Sequence, residues 1–84
     1  MAGTGKGPTP RQRLFGDRVR SQRQGLGLSQ EALADRSGIA RAYVGSLEAG
    51  ERNPSLETVA RLAKALEVDA GDLVSGIQDL AGRT

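Results

Sequence analysis

The sequence predicts an all-α protein with five helices in a single domain. Apolar residues recur at helical spacing, most clearly over residues 56–66. Residues that favour helix N-termini, namely Ser29, Ser55 and Asp69, directly precede three of the apolar segments. Glycines follow several segments where a helix should end. The 84 residues suit one domain with a modest hydrophobic core.

The N-terminal part is predicted to be a flexible arm followed by a first helix. Glycine, proline and small polar residues dominate residues 1–10, which we expect to form the arm. Phe15 and Val19 lie on one face of a helix over about residues 11–24, and Gly25 stops it.

Two short helices and a tight turn are predicted in the middle of the chain. Ser29 caps a helix to about residue 36, and Gly38 ends it in the left-handed conformation. A third helix is expected over about residues 41–48. Ala40 occupies its N-cap position, which should cost about 1 kcal/mol of local stability. This layout, from Ser29 to Leu47, is that of a helix-turn-helix, in which the second helix enters the major groove of DNA.

The C-terminal third completes the predicted bundle. Ser55 caps a fourth helix that ends at about Leu66, and Asp69 caps a short fifth helix. The folded domain is therefore expected over residues 11–75, with residues 76–84 as a tail that joins a dimer interface.

Composition excludes several functions. The chain has no cysteine and no histidine, so the commonest general base and the usual thiolate and imidazole metal ligands are missing. Its carboxylates are scattered, which predicts a protein that is not an enzyme and needs no metal or cofactor. Only two aromatic residues are present, too few for a base-stacking platform. Neither a membrane segment nor a signal peptide is recognisable, so we expect a cytoplasmic protein. The sequence also shows no small-molecule effector site.

Charge is distributed unevenly along the chain. Residues 1–23 carry a net charge of +5 and residues 65–84 a net charge of −3, although the whole chain carries only +2. This polarity favours a protein that presents one end to a polyanion. A chance imbalance on solvated surfaces would produce the same numbers.

An ordered set of residues resembles the Cro and lambda-repressor type of helix-turn-helix family over about residues 15–75. The matching segments are residues 28–34 (LSQEALA), Gly38-Ile39, Val44, residues 47–50 (LEAG), 53–56 (NPSL) and 62–66 (LAKAL). The resemblance implies a lambda-repressor-like domain that regulates transcription, for instance as a repressor, bound as a homodimer to palindromic double-stranded DNA. Residues 41–48 are similar to the controller proteins of restriction–modification operons, except that Ala42 replaces a threonine often found there.

The resemblance also implies site residues. The predicted base contacts are Arg41, Ala42, Gly45 and Ser46. Arg41 is the first candidate because a guanidinium matches the two acceptors on guanine's major-groove edge, although a phosphate contact or a solvated arginine is an alternative. The predicted phosphate contacts are Gln30, Tyr43, Arg52, Asn53, Ser55 and Arg18. For Gln30 a plain helix start, and for Tyr43 an aromatic at the edge of the core, remain the alternatives.

Two further groups are assigned to architecture. Arg23 and Glu48 are expected to form a partly buried salt bridge between the first and third helices, as in the family. The apolar residues near the C-terminus are expected to form a dimer face, unless they only close the monomer core. They are Leu66, Val68, Leu73, Val74 and Ile77.

A second function remains open at this point. An antitoxin-like protein-interaction module would bind DNA only together with a partner protein. The arm and the tail are the segments that could hold such a partner, and neither shows a strong pattern.

Overall fold

The structure, a computed structural model, describes residues 7–80, which form five α-helices and no strand. The helices are α1 (Pro10–Gly25), α2 (Gln30–Ser37), α3 (Arg41–Glu48), α4 (Leu56–Leu66) and α5 (Ala70–Val74), and a 3-10 turn at Ile77–Asp79 follows them. The prediction of an all-α bundle of five helices is confirmed.

The predicted caps account for most helix boundaries. The Ser29 hydroxyl accepts a hydrogen bond from the N–H of Ala32 at 3.0 Å, and Ser55 and Asp69 cap α4 and α5 with their side chains in the same way. Gly38 ends α2 with a φ of 73°, in the left-handed region. The N-cap of α3 makes no side-chain hydrogen bond, as expected for alanine.

The start of α1 differs from the sequence-based expectation. Thr9 is the N-cap, and its hydroxyl accepts from the N–H of Gln12 while the Gln12 amide oxygen accepts from the N–H of Thr9 at 2.8 Å. Pro10 is the first helical residue, where its missing N–H has no effect on hydrogen bonding. The predicted arm therefore overlaps the start of α1 at its last residues, and residues 1–6 lie outside the described part of the chain.

The core lies where all five helices converge. Its fully buried side chains are Val19, Leu33, Val44, Leu47, Leu62, Leu66 and Leu73. The backbones of α1 and α3 approach each other closely at Gly16, where a Cβ atom would lie 2.9 Å from the carbonyl oxygen of Glu48 and closer still to that of Leu47. The absence of a side chain at Gly16 thus allows α3 to lie directly on α1.

Two residues of the predicted dimer face belong to this core instead. Leu66 and Leu73 are 1% and 0% exposed, because α5 folds back over α4 and α1 and covers them within one subunit. The remaining members, Val68, Val74 and Ile77, are half-buried and keep part of their apolar surface in solvent.

Arginines of α1 hold the C-terminal segment in place. Arg18 Nη1 donates to the carbonyl oxygens of Leu73 at 3.3 Å and Ser75 at 2.7 Å. Two helical turns earlier, Arg11 donates to the carbonyl oxygen of Ile77 at 2.7 Å and to that of Gln78 at 3.2 Å. Arg18 thus binds carbonyls at the end of α5, and Arg11 binds carbonyls of the 3-10 turn that follows it.

Candidate nucleic-acid interface

The first half of α3 carries the predicted base-contacting residues on an exposed surface. Arg41 and Ala42 are exposed, and Gly45 and Ser46, one turn later, are half-buried. The four positions are adjacent on a helix because residues four apart lie above one another. Val44 and Leu47 point the other way and are fully buried, so the core fixes which face α3 presents to solvent.

Gln30, the first residue of α2, lies beside this surface. Its Nε2 donates a hydrogen bond to Oε1 of Glu48 at 3.1 Å. Its Oε1 lies 3.5 Å from the point that a Cβ on Gly45 would occupy, and Nη1 of Arg41 lies 3.4 Å from the same point. The structure therefore brings Gln30, Gly45 and Arg41 together.

The second half of α3 ends in a buried ion pair. Arg23 Nε donates to Glu48 Oε2 at 2.7 Å and Arg23 Nη2 donates to Glu48 Oε1 at 3.0 Å, which is a bidentate arrangement. The side chains are 12% and 1% exposed, respectively. A third donor, Arg23 Nη1, bonds the carbonyl oxygen of Leu28 at 2.8 Å and so also holds the turn before α2. The hydrogen bond with Glu48 raises the pKa of Arg23 above its ordinary value.

Two predicted phosphate contacts also meet in the structure. The guanidinium carbon of Arg52 lies 5.2 Å from the centroid of the Tyr43 ring, a cation–π geometry. Tyr43 is half-buried at the edge of the core, and Arg52 and Asn53 are exposed in the loop after α3. The Ser55 hydroxyl caps α4, so a phosphate contact at this residue would use its main-chain N–H.

Arg18 does not join this group. Its hydrogen bonds to the end of α5 direct it to the C-terminal part of the bundle, and we assign it to architecture in place of a phosphate contact. The same holds for much of the N-terminal positive charge, since Arg11 and Arg23 also donate to groups within the fold. Net charge along the sequence therefore does not show which arginines of α1 already have hydrogen-bond partners within the fold.

Sequence reasoning did not single out Arg20 or the bonding of Gln30 to Glu48. Arg20 Nε lies 3.8 Å from Oε1 of Glu48, and its side chain is about half exposed. Its position three residues before Arg23 on α1 was the available signal, because residues three apart share a helix face. The bond between Gln30 and Glu48 had no sequence signal, since it joins residues on different helices.

The arrangement of α2 and α3 matches known proteins. The HTH_3 family, described as helix-turn-helix, matches residues 19–73. The chain belongs to this family. Membership confirms the resemblance to Cro and lambda-repressor type domains and the prediction of a DNA-binding transcription regulator that is not an enzyme.

Individual helix-turn-helix proteins are also similar to the chain. Control protein C.SmaI of Serratia marcescens is 45% identical over 62 residues, which cover 74% of each chain. The crystal structure of the restriction–modification controller protein C.AhdI from Aeromonas hydrophila is 47% identical with a TM-score of 0.72, covering 74% of this chain and 94% of that one. The P22 c2 repressor, solved in complex with a synthetic operator, is 32% identical with a TM-score of 0.70, covering 75% and 96%.

Two features of other kinds of protein are absent from the described part of the chain. None of the helices within residues 7–80 has the length and apolarity to cross a membrane. Over the same residues, no group of three or more acidic, histidine or cysteine side chains lies close enough to hold a metal ion.

Proposed function

We propose that this regulator binds a palindromic double-stranded DNA operator as a homodimer, with α3 in the major groove, and that it controls a restriction–modification operon. The observation that carries the proposal is the exposed surface formed by Arg41, Ala42 and Gly45 on a helix whose opposite face is locked into the core. A helix held in this way is already ordered, so it can contact base edges without the entropic cost of becoming ordered on binding.

The base-reading surface is small. Arg41 supplies two parallel donors, which suit guanine O6 and N7, and Ala42 supplies a methyl group for thymine. Gly45 allows close approach, and Ser46 offers a hydroxyl of low selectivity. With so few direct contacts, part of the specificity is expected to come from sequence-dependent DNA shape.

Phosphate contacts are proposed on both sides of this surface. Gln30 and the free N–H groups at the start of α2 would contact one strand. Tyr43, Arg52, Asn53 and the N–H of Ser55 would contact the other flank. The stacking of Arg52 on Tyr43 supports this group because it gives an otherwise mobile loop arginine a defined position.

The dimer face is revised from the sequence-based one. Leu56 is 88% exposed, and it lies at the rim of an apolar cleft of about 250 Å³ that Phe15, Val59, Val74 and Ile77 help to line. A surface that carries both an exposed apolar side chain and an apolar cleft can pair with a second copy of itself about a twofold axis. Each subunit would then insert its Leu56 into the cleft of the other. We therefore propose that Leu56, Val74 and Ile77 form the centre of the dimer face, with Val68 at its edge.

The link to restriction–modification rests on the relatives. C.SmaI is named a control protein and C.AhdI a restriction–modification controller, and both match most of this chain. A regulator of this kind acts where the DNA is, so the proposed location is the cytoplasm. Repression of its target promoter is the proposed outcome.

Selection from a random duplex library tests the DNA-binding part. The expected result is an inverted repeat whose half-sites lie about one helical turn apart, roughly 34 Å between centres. Binding to it should weaken steeply between 50 and 200 mM salt, on the order of a hundredfold or more if several phosphates are contacted. Enrichment of no duplex, or of a site without twofold symmetry, would refute the proposal. Recovery of DNA only after a partner protein is added would instead support the antitoxin-like alternative.

Sedimentation tests the dimer face separately. Leu56→Gln should raise the dimer dissociation constant on the order of a hundredfold, because two exposed leucines lose their burial in the interface. Leu26→Gln is the matched control, since Leu26 is the other large exposed apolar residue of the described chain and lies away from the cleft. Equal dissociation constants for the two variants would place the interface elsewhere.

A further inference from the structure

One wall of the apolar cleft beside Leu56 belongs to the segment that follows α5. Ile77, the first residue of the 3-10 turn, lines the cleft together with Val74 near the end of α5. Gly76 separates the two with a φ of 79°, in the left-handed region, so the turn does not continue the helix. The position of Ile77 therefore does not follow from the position of α5 alone.

Arg11, on the first turn of α1, binds this segment. Its Nε donates to the carbonyl oxygen of Ile77 at 2.7 Å, and its Nη2 donates to that of Gln78 at 3.2 Å. Within residues 7–80, these are the side-chain hydrogen bonds that reach the turn Ile77–Asp79 from another element, and its backbone bonds are local. Arg11 thus provides the polar attachment of the turn to the rest of the bundle.

The same arginine also lines the cleft. Arg11 lies along it together with Gln12 and Phe15 of α1. An arginine can lay its aliphatic stem on an apolar surface while its guanidinium bonds elsewhere. Here the guanidinium bonds the backbone of Ile77, whose side chain forms part of the wall. The start of α1 and the turn, 66 residues apart in sequence, are therefore joined at the cleft itself.

These two hydrogen bonds constrain local geometry more than they stabilise the fold. Both lie at exposed positions, where water competes for the carbonyls, so each contributes little to the free energy of unfolding. Their loss should leave the five helices folded and let the turn leave the cleft. A second subunit that docks on the cleft would then have to order the turn on binding, which lowers affinity.

We propose that Arg11 positions the dimer face, because its guanidinium fixes the 3-10 turn so that Ile77 completes the cleft before a second copy of the chain binds there. Arg11 is a positioning residue in this proposal, and it acts through the turn without needing to contact the other subunit. The proposal rests on the proposed dimer face, since it assumes that the cleft receives Leu56 of a second subunit.

Sedimentation equilibrium with Arg11→Met, in the absence of DNA, tests this role. Methionine keeps an unbranched apolar side chain but cannot donate to the two carbonyls. We expect the dimer dissociation constant to rise about tenfold, the effect of ordering one more side chain per subunit on association. Removal of a positive charge alone would act in the opposite direction, because it lowers the repulsion between two identical subunits.

Arg13→Met is the matched control. It makes the same change of charge and shape two residues later, at an exposed position that does not line the cleft. Its dimer dissociation constant should stay within about twofold of that of the unmodified protein. An equal rise in Arg11→Met and Arg13→Met would overturn the positioning role.

The results separate this role from the proposed dimer face. If Leu56→Gln weakens the dimer and Arg11→Met does not, the dimer face stands and the positioning role is overturned. If Leu56→Gln leaves the dissociation constant unchanged, the dimer face itself is wrong, and the role of Arg11 fails with it.

A double variant tests whether Arg11 acts through Ile77. Ile77→Ala removes most of the wall that Arg11 holds, so adding Arg11→Met to it should raise the dissociation constant by less than about twofold. A further tenfold rise in the double variant would mean that Arg11 contacts the second subunit directly, and the positioning role would be wrong.

NMR relaxation of the monomer gives a readout that does not depend on association. At a concentration where the protein is monomeric, the backbone order parameters of Gln78 and Asp79 should fall in Arg11→Met and stay constant in Arg13→Met. Those of Leu73 in α5 should not change, and the melting temperature should stay within about 2 °C. Unchanged order parameters in the turn would overturn the proposal, as would a large drop in melting temperature, which would make Arg11 a support of the whole fold.

Discussion

The two ends of α3 differ in almost every physical respect although they lie only two turns apart. At the C-terminal end, Leu47 and Glu48 are buried, and Glu48 is held by three hydrogen bonds from Arg23 and Gln30. At the N-terminal end, Arg41 and Ala42 are exposed, and the helix starts without a capping side chain. One end of the helix is fixed by the fold, and the other is left available to a ligand.

This difference indicates how a small bundle combines stability with recognition. The side chains at the exposed end must keep a defined orientation to contact DNA, but they cannot be held by burial in the core. Their orientation therefore depends on the buried end of the same helix. Loss of a buried side chain at the C-terminal end should therefore mainly lower the free energy of unfolding, and loss of an exposed side chain at the N-terminal end should mainly change DNA preference.

Loss of the buried carboxylate should have the largest effect. Glu48→Ala leaves the Arg23 guanidinium desolvated without a counter-ion, and we expect the free energy of unfolding to fall by about 3 kcal/mol. Urea denaturation followed by circular dichroism measures this. Glu51→Ala is the control, because Glu51 is exposed three residues later and should change stability by less than about 0.5 kcal/mol. Similar midpoints for Glu48→Ala and the unmodified protein would show that the buried end does not fix α3.

A methyl group between α1 and α3 should have the next largest effect. Gly16→Ala places a Cβ against the carbonyl oxygens of Leu47 and Glu48, which belong to the backbone and cannot rotate away. Separating the two helices should destabilise the protein by about 2 kcal/mol. Gly25→Ala, at the last residue of the same helix, meets no atom within 4 Å and should be neutral or slightly stabilising. If both variants melt at the same temperature, the close approach of the helices contributes nothing to stability.

Removal of the exposed arginine should change recognition but not stability. Arg41→Ala is expected to lower discrimination at one base pair per half-site by about 1–2 kcal/mol, while the melting temperature stays within about 2 °C. Competition binding with operators changed at single positions measures the discrimination. A uniform loss over all positions would make Arg41 a phosphate contact. A large drop in melting temperature would contradict the contrast between the two ends.

A capping residue at the exposed end should have the smallest effect. Ala40→Ser supplies the hydroxyl that α3 lacks and should stabilise the protein by about 0.5–1 kcal/mol, measured by thermal denaturation. The same change at Ala42, inside the helix, should be neutral or slightly destabilising because serine has the lower helix propensity. Equal effects at both positions would indicate that the start of α3 needs no cap.

Local signals in the sequence predicted the helix boundaries well. Ser29, Gly38 and Ser55 act through hydrogen bonds or backbone conformations within a few residues, so their effects are visible in the sequence itself. The start of α1 was placed late because the capping box of Thr9 and Gln12 lies in a segment whose glycines and prolines suggested a flexible arm.

Long-range assignments were predicted less completely. The sequence marked residues 66 to 77 as apolar but could not distinguish a side chain buried by its own subunit from one left for a partner. Leu66 and Leu73 are in the core, whereas Leu56, which the sequence-based dimer face did not include, is the most exposed leucine of the described chain. For the same reason the sequence could not show that Arg11 and Arg18 donate to carbonyls more than fifty residues away.

The sequence by itself determined the five helices, the caps of α2, α4 and α5 and the helix-turn-helix layout, because these depend on hydrogen bonds and apolar spacing over a few residues. Only the tertiary structure decided that Glu48 holds the Gln30 amide, that Gly16 permits the contact of α1 with α3, and which apolar residues remain exposed. Those outcomes depend on the distances between helices, and distances between helices follow from the packing of the whole core.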